Sequence, residues 1–484
     1  MKSGGSVPAG AVASGCEAGF RRVFGESGLV CHFVGIGGSG MSGLAQVLHR
    51  AGHQVSGSDA VSSAATARLR ALGIAVQVGH GRECLGPQVG LVVASAAVGL
   101  DNPELVEARR RGLPVLKYAQ MLGRISACFE TLAVAGTHGK STTSGWLAWA
   151  LSRAGRSPSF VIGGDVWQLG GSSGAGDGGH LVVEACEYDR SFLNLDAKAA
   201  AVLNIEADHL DYYRDMDEIV EAFGQFVGRV GPDGLVLVNA GDGYCAVAMG
   251  GARCRTETFG VEVGADWTAA GVGWDGGHAV FELCRGGVSL GRVRLGLPGR
   301  HNLANSLAVA ALAYEAGLDA GEICVGLETF GGVGRRLTLK GKPGGVVIVD
   351  DYAHHPTEIR ATLAAVREKY VPGRLWCVFQ PHQASRTSYL LEEFAGSFGD
   401  ADIVLLADIY SVRDSEAARR EVSSGDLARR SQVCGVDARY LGDFARIVEV
   451  LCQEVMPGDV VVTMGAGNVG SVADELLCRL GTDS

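Results

Sequence analysis

One stretch constrains this chain more than any other: Ala135-Gly136-Thr137-His138-Gly139-Lys140-Ser141-Thr142-Thr143. It follows Thr131-Leu-Ala-Val-Ala135, an apolar run that predicts a buried strand, and precedes Gly145–Leu151, which predicts a helix. A glycine-rich turn between strand and helix aims backbone N–H groups at whatever lies over the positive helix end. Gly136, Thr137, His138 and Gly139 would then cradle the phosphates of a nucleoside triphosphate, and Lys140 would reach the terminal ones. Ser141, with Thr142 behind it, would offer a hydroxyl to Mg²⁺. The first glycine of the usual G-x-x-x-x-G-K-[ST] spacing is Val134 here. A glycine turn with a surface lysine is the plain alternative. The complete strand, turn and helix favour phosphate binding, and the rest of the chain must say what the ATP is for.

The chain has 484 residues, which at about 150 residues per domain makes about three domains. Hydrophobic residues are 47% and charged residues 20%, enough for a core in each domain. A net charge of −11 without any basic run argues against nucleic acid as a partner. The 13 cysteines are scattered, with no C-x-x-C pair, so a reducing, cytoplasmic setting is expected. No apolar run approaches the ~20 residues of a membrane span, and no membrane partner is expected. Ala13-Ser14-Gly15-Cys16 is similar to a lipoprotein cleavage box, but residues 3–12 contain no apolar segment. Residues 1–25 read as a flexible leader.

After the leader, Leu29–Val34 predicts a strand, Gly35-Ile36-Gly37-Gly38-Ser39-Gly40 a tight turn, and Met41–Ala51 a helix. Gln54–Ser58 predicts a second strand ending at Asp59. This is a G-x-G-x-x-G turn in a βαβ unit with an acidic residue about twenty positions on. It seats a pyrophosphate on the helix N-terminus, and Asp59 can meet a sugar hydroxyl. NAD and a UDP-sugar satisfy it equally. Strands at 75–78, 91–95 and 114–117 and helices near 102–111 and 118–128 complete a small α/β domain ending near residue 124.

The second domain opens with the phosphate loop. Residues 163–180 read as a loop or hairpin tip. Leu181–Val183 predicts a strand ending at Glu184-Ala-Cys186-Glu187-Tyr-Asp189. Ala199–Leu203 predicts another, ending at Asn204-Ile-Glu206-Ala-Asp208-His209. Ligands bind at the carboxyl ends of parallel strands, so Glu184 and His209 are candidate Mg²⁺ ligands, while Asp211 reads as a cap or solvated residue. A helix over 217–230 and a strand over 235–238 follow. Residues 250–298 read as a β-rich insertion with Phe259, Trp267 and Trp274 in its core. His301, Asn302 and Asn305 lie on one face at the start of a helix running to about Ala316. Asn305 has the amide to read an adenine edge; capping by Asn302 is the plainer reading of the periodicity. Gly331–Arg336 reads as a flexible link at a domain boundary. Arg336 there could reach transferring phosphates on closure, or be a solvated linker residue.

The third domain begins with a strand over 346–349, then Asp350-Asp351-Tyr-Ala-His354-His355-Pro356 and a helix over 357–369. Strands at 375–379, 403–407 and 460–464 follow, with polar groups again at their ends, including Gln380-Pro-His382-Gln383-Ala-Ser-Arg386-Thr387.

In this order and spacing, Gly35–Ser42, Gly136–Thr143, Glu184–Arg190, Asn204–Tyr212, Gly299–Ser306, Gly334–Leu337, Asp350–Glu358, Gln380–Thr387 and Gly465–Gly470 resemble the Mur ligase family over roughly residues 29–470. The resemblance implies three α/β domains: a Rossmann-like UDP-sugar domain at 26–124, a central P-loop ATPase-like domain with a mainly parallel sheet at 125–336, and a C-terminal Rossmann-like amino-acid domain at 337–484. It implies ATP and Mg²⁺ as cofactors, and UDP-N-acetylmuramate and L-alanine as substrates joined through an acyl phosphate. A monomer or weak homodimer, with hinges near residues 124 and 336, is expected. Carried over by position, Lys140 contacts the β- and γ-phosphates, and Ser141, Glu184 and His209 hold magnesium. His301, Asn302 and Asn305 take the adenine, and Arg336 lies near the γ-phosphate. His355, with Asp351, His382, Arg386 and Glu187, lines the amino-acid and acyl-phosphate end. Gly37, Gly38, Ser39, Gly40, Asp59 and Ser95 serve the UDP-sugar. Gln383 departs from an arginine common in relatives that add alanine, which leaves Arg386 as the main cation for the alanine carboxylate. The rival within the family adds a tripeptide to the same nucleotide sugar. An NAD-dependent oxidoreductase or a non-catalytic nucleotide binder would leave Lys140 or the strand-end ligands unused.

Overall fold

A computed structural model of the protein describes residues 13–25, 28–261, 264–411 and 414–481. Among them the strands form three sheets of five, ten and six strands, giving a three-domain α/β fold.

The first sheet is fully parallel, in the order Ala75–Val78, Gln54–Asp59, Val30–Val34, Leu91–Ala94, Val115–Lys117. The order in which strands are added across the sheet reverses between Val30–Val34 and Leu91–Ala94, the switch point where such sheets bind ligands. The glycine turn leaves the sheet there. Gly35 has φ 80°, and a Cβ on it would stand 2.9 Å from Cβ of Ser95, so the turn closes against Ser95 only with glycine. Asp59 does not stand free: its Oδ2 accepts the Gly37 N–H at 2.8 Å. The carboxylate braces the turn that was expected to meet the ligand beside it.

In the central sheet, Glu130–Ala135 lies between Ala199–Val202 and His180–Glu184, all parallel. The phosphate loop therefore rises from the middle of the sheet, flanked by both acidic strand ends. Its helix, Lys140–Arg153, buries Trp146, Leu147 and Leu151, each contributing about 1.5–3 kcal/mol. The 163–180 segment is a hairpin, Ser159–Val166 paired antiparallel with Gly171–Gly174. The expected insertion is the sheet's antiparallel edge, Trp267–Asp275, His278–Arg285 and Val288–Pro298. Phe259 and Trp267 are core, but Trp274 is 37% exposed with the Arg300 guanidinium 5.1 Å from its ring centre. The second half of this strand, Ala270–Asp275, is exposed throughout, so it runs out beyond the core and carries Trp274 with it.

The third sheet runs Thr338–Gly341, Val347–Asp351, Val460–Met464, Leu375–Phe379, Ile403–Ala407, Asp437–Gly442, parallel except at Thr338–Gly341.

Two expectations need correction. Residues 1–12 of the expected leader lie outside the described residues, but Ala13–Phe24 is a helix. Phe20 is buried against Phe24, His53 and Phe129, and Gly19 sits so close that a Cβ would meet the Cys128 carbonyl oxygen at 2.7 Å. Apolar contact with both the first and second domains orders this helix. The link 331–336 is also held rather than free. Gly334 N donates to Asp165 O at 2.7 Å, and Tyr352 N to Arg335 O at 2.7 Å. Arg335 itself binds Asp350 and the carbonyls of Gly465 and Gly467.

Candidate active site

Adjacent parallel strands open their carboxyl ends to the same side. Two adjoining cavities lie there, between the central and C-terminal domains. One, about 450 Å³, is lined by Lys140, Ser141, Glu184, His209, Arg336 and His354 among others. The second, about 440 Å³, is lined by Thr142, His301, Asn302, Asn305, Leu297 and Asp351 among others. Gly139, Arg336 and Glu358 belong to both. The shape suits a nucleotide with its base in the second cavity and its phosphates in the first.

Gly139 has φ 83°, and a Cβ on it would come 3.0 Å from Asn305 Oδ1. Only glycine lets helix Arg300–Glu315 approach the glycine loop this closely. The N-cap of that helix is Gly299, with no side-chain cap; the Asn302 amide donates instead to Pro298 O at 2.7 Å, so the capping expected of Asn302 is not made, and Asn305 faces the loop. Burial pushes His301 down to about 4, so it enters the cavity as a neutral ring.

Two of the expected phosphate donors are already in use. Thr137 N donates to Asn204 O at 3.0 Å, and His138 N to Asn204 Oδ1 at 2.7 Å. Asn204, absent from the sequence-derived set, shapes the loop. Lys140 Nζ donates to Gly136 O, to Thr137 O at 2.9 Å and to Glu187 Oε1 at 3.0 Å. Burial opposes its charge, but Glu187 outweighs it and holds the ammonium above its ordinary value. Glu187 lies beneath the loop, 3% exposed, with His209 Nε2 3.4 Å away. It lines neither cavity and is corrected here from substrate contact to counter-ion. Ser141, Glu184 and His209 do share one cavity. A hydroxyl and a carboxylate, with an imidazole beside them, form a donor set that fits Mg²⁺ with water completing the shell. His209 reaches it with φ 55°, a strained value that places its ring at the strand end. Glu184 Oε2 also accepts Gly163 N–H at 2.6 Å.

On the C-terminal side, the expected histidine is displaced by one residue. His354 lines the first cavity, with Lys140 and Ser141, and burial drives it down to about 3, so it is neutral. His355 turns away as the cap of Pro356–Tyr370, its Nδ1 accepting Thr357 N–H at 3.3 Å. Asp351 is corrected as well. Its carboxylate accepts the N–H groups of Leu337 and Ala353, each at 2.7 Å, and it lines the second cavity rather than facing Arg386. Burial raises it to about 6. Arg386 grips Asp208 with Nε at 3.1 Å and Nη2 at 2.6 Å, and its Nη1 is 3.3 Å from His382 Nδ1. Burial opposes the Asp208 charge, but Arg386 holds that carboxyl far below the usual range. Gln383 is buried at φ 67°, its N–H on Tyr410 O at 3.1 Å.

His138 stands where the domains meet. Its Nδ1 is 3.3 Å from Glu358 and its Nε2 3.5 Å from Glu206, with the His355 ring 4.6 Å away. Burial works against the imidazolium, but the two carboxylates raise it from 6.5 to about 9. Its contribution to stability is complete below pH 6.5 and is lost as pH rises through about 9. The parent should therefore lose roughly 2–3 kcal/mol more than His138→Gln across that window. Urea unfolding of both proteins at pH 6 and pH 9.5 measures the difference; equal losses would show that His138 is neutral throughout. His138, Glu206 and His355 also lie close enough to offer three metal-ligand atoms; Thr357 N–H occupies His355 Nδ1, while His355 Nε2 is buried without a hydrogen-bond partner.

Sequence models of Mur ligases match the chain in three pieces: the family's catalytic domain over residues 30–130, its middle domain over 134–313 and its glutamate ligase domain over 335–467. The UDP-N-acetylmuramate–L-alanine ligase of Acetivibrio thermocellus is 42% identical over 449 residues, covering 92% of this chain and 95% of its own. Among solved structures, the UDP-N-acetylmuramate–alanine ligase of Thermotoga maritima superposes with TM-score 0.76 at 27% identity, covering 94% of this chain and 100% of its own. A murein peptide ligase of Psychrobacter arcticus gives TM-score 0.67 at 26% identity, covering 94% and 99%.

Proposed function

The chain belongs to the Mur ligase family, and from that premise we propose how its residues join L-alanine to the lactyl carboxylate of UDP-N-acetylmuramate in an early step of peptidoglycan precursor synthesis. It is an ATP-dependent amide-forming ligase. The observation that carries the mechanism is that Lys140, Ser141, Glu184 and His209 line one cavity, with helix Arg300–Glu315 behind it and His354 facing it.

A carboxylate at neutral pH has no good leaving group, so its oxygen first attacks the γ-phosphorus of ATP and ADP leaves. The α-amine of L-alanine then attacks the acyl-phosphate carbonyl. Phosphate leaves from the tetrahedral intermediate with the oxygen it gained, and the amine loses its proton. Lys140 neutralises the charge on the transferring phosphoryl oxygens. To do so it exchanges some of its present contacts with Gly136 O, Thr137 O and Glu187 for phosphate. Ser141, Glu184 and His209 would hold Mg²⁺, which supplies charge neutralisation between the phosphates. Arg336, on the wall common to both cavities, orients the γ-phosphate. His354 enters as a neutral ring, able to accept a hydrogen bond from the incoming amine. Arg386 takes the alanine carboxylate, which must then share or displace Asp208. The first sheet's switch point holds the UDP. The working units are residues 26–124, 125–336 and 337–484.

Addition of a tripeptide is the second reading. The relative named UDP-N-acetylmuramate–L-alanine ligase at 42% identity, and the TM-score of 0.76 with an alanine ligase structure against 0.67 with a murein peptide ligase, favour the single amino acid. Phosphate release from ATP, Mg²⁺ and UDP-N-acetylmuramate, with amino acids added in turn, tests the proposal. Release is expected only when L-alanine is present. Release with glycine or L-serine instead would move the specificity to Gln383, and release with a tripeptide alone would replace the proposal.

A further inference from the structure

His138 sits in the phosphate loop, yet its N–H is spent on Asn204 and its ring faces the other domain. Nδ1 lies 3.3 Å from Oε1 of Glu358, on the C-terminal helix Pro356–Tyr370. Nε2 lies 3.5 Å from Oε2 of Glu206, in the central domain. That same Glu206 oxygen accepts the Thr357 hydroxyl of the C-terminal domain at 2.6 Å. Glu358 in turn is 3.4 Å from Arg336 of the interdomain link. Two carboxylates, one imidazolium and one guanidinium thus balance across the domain boundary. The Glu358 side chain is 10% exposed and that of His138 11%, so these contacts are little screened by solvent. If the C-terminal domain swings away, His138 loses Glu358 and the His355 ring, and Glu206 loses Thr357, together.

We infer that His138 is a positioning residue that latches the phosphate loop to the docked C-terminal domain. The latch couples nucleotide occupancy of the loop to the presence of the amino-acid-bearing domain over it. It rests on the ligase reading above for its purpose. By linkage, whatever a nucleotide gains from the docked state, docking gains from the nucleotide. Thr357 serves the same latch through Glu206, with no hydrogen bond of its own to the loop among those of its side chain.

The test uses the full chain and His138→Asn, Glu358→Gln, Thr357→Val and the His138→Asn/Glu358→Gln pair. In turnover, His138→Asn should lower kcat at least about tenfold while KM for ATP changes less than about threefold. Thr357→Val should give the same split more weakly. The pair should lose less than the product of the two single losses, because the singles share the His138–Glu358 contact while His138 also gives up Glu206 and Glu358 also gives up Arg336. In small-angle scattering, a non-hydrolysable ATP analogue should compact the parent and fail to compact His138→Asn or Thr357→Val. The scattering arm needs no turnover, so an inactive parent would sink the ligase reading and leave the latch on trial. A rise in KM for ATP with kcat unchanged would reduce His138 to phosphate binding and overturn the latch. Losses that multiply in the pair, or equal compaction of parent and variants, would overturn it too. Should His138→Asn fail to fold, Thr357→Val, which touches no loop residue, decides the outcome alone.

Discussion

Lys140→Ala loses phosphate release by on the order of 10²–10³-fold or more, while UDP-N-acetylmuramate binding stays within about twofold of the parent. The reason is local. The ammonium is the phosphate loop's own cation, and the switch point of the first sheet is built from Gly35, Asp59 and Ser95, none of which touches Lys140. The substitution also takes from Glu187, whose side chain is 4% exposed, its ammonium partner at 2.9 Å and leaves it His209 at 3.4 Å. A buried carboxylate that loses its cation costs several kcal/mol unless it takes up a proton. Lys140→Ala should therefore melt lower than the parent, and adding Glu187→Gln should recover stability without recovering turnover. Calorimetric titration with the nucleotide sugar, a melt and the phosphate assay separate the effects. Ligase activity retained in Lys140→Ala would sink the site assignment.

Arg386→Ala has the second large effect. Both members of the Arg386–Asp208 pair are nearly buried, at 8% and 7% side-chain exposure. Removing one partner leaves an uncompensated charge, at about 3–5 kcal/mol. The variant should also lose L-alanine-dependent phosphate release, because Gln383 supplies no second cation. Arg386→Met with Asp208→Leu should regain most of the stability and none of the activity, since an apolar pair of similar volume replaces a buried ion pair at little cost. Urea unfolding and the same assay decide it. A single variant as stable as the parent would show that the pair opens to water, and wild-type activity in it would move the alanine carboxylate to another residue.

Much of this was legible in residue order. Apolar runs of four to six residues ending in glycine, acids or histidine announce buried parallel strands with ligand-facing ends, because such strands bury both faces and alternate with helices. That argument located Lys140, Ser141, Glu184 and His209, and the structure brings them to one cavity. Helix Ala13–Phe24 escaped because its order comes from Phe20 packing on His53 and Phe129, partners far away in the chain. The link at 331–336 looked free because glycines and arginines are typical of solvated linkers; distant carbonyls and Asp350 hold it.

Local sequence determined the strand order's raw material, the phosphate loop, the metal-ligand candidates and the family, since each depends on residue type at short spacing. Tertiary structure alone decided which polar groups meet across domains. It turned His355 into a cap and put His354 in the cavity. It set Glu187 under Lys140, Asp351 on the linker amides, Asp208 on Arg386 and His138 between Glu206 and Glu358. The Glu187–Lys140, Asp208–Arg386, His138–Glu206 and His138–Glu358 pairings join residues 47 to 220 apart. Their energies depend on burial and separation in space, and neither quantity is written in the spacing of residues along a chain.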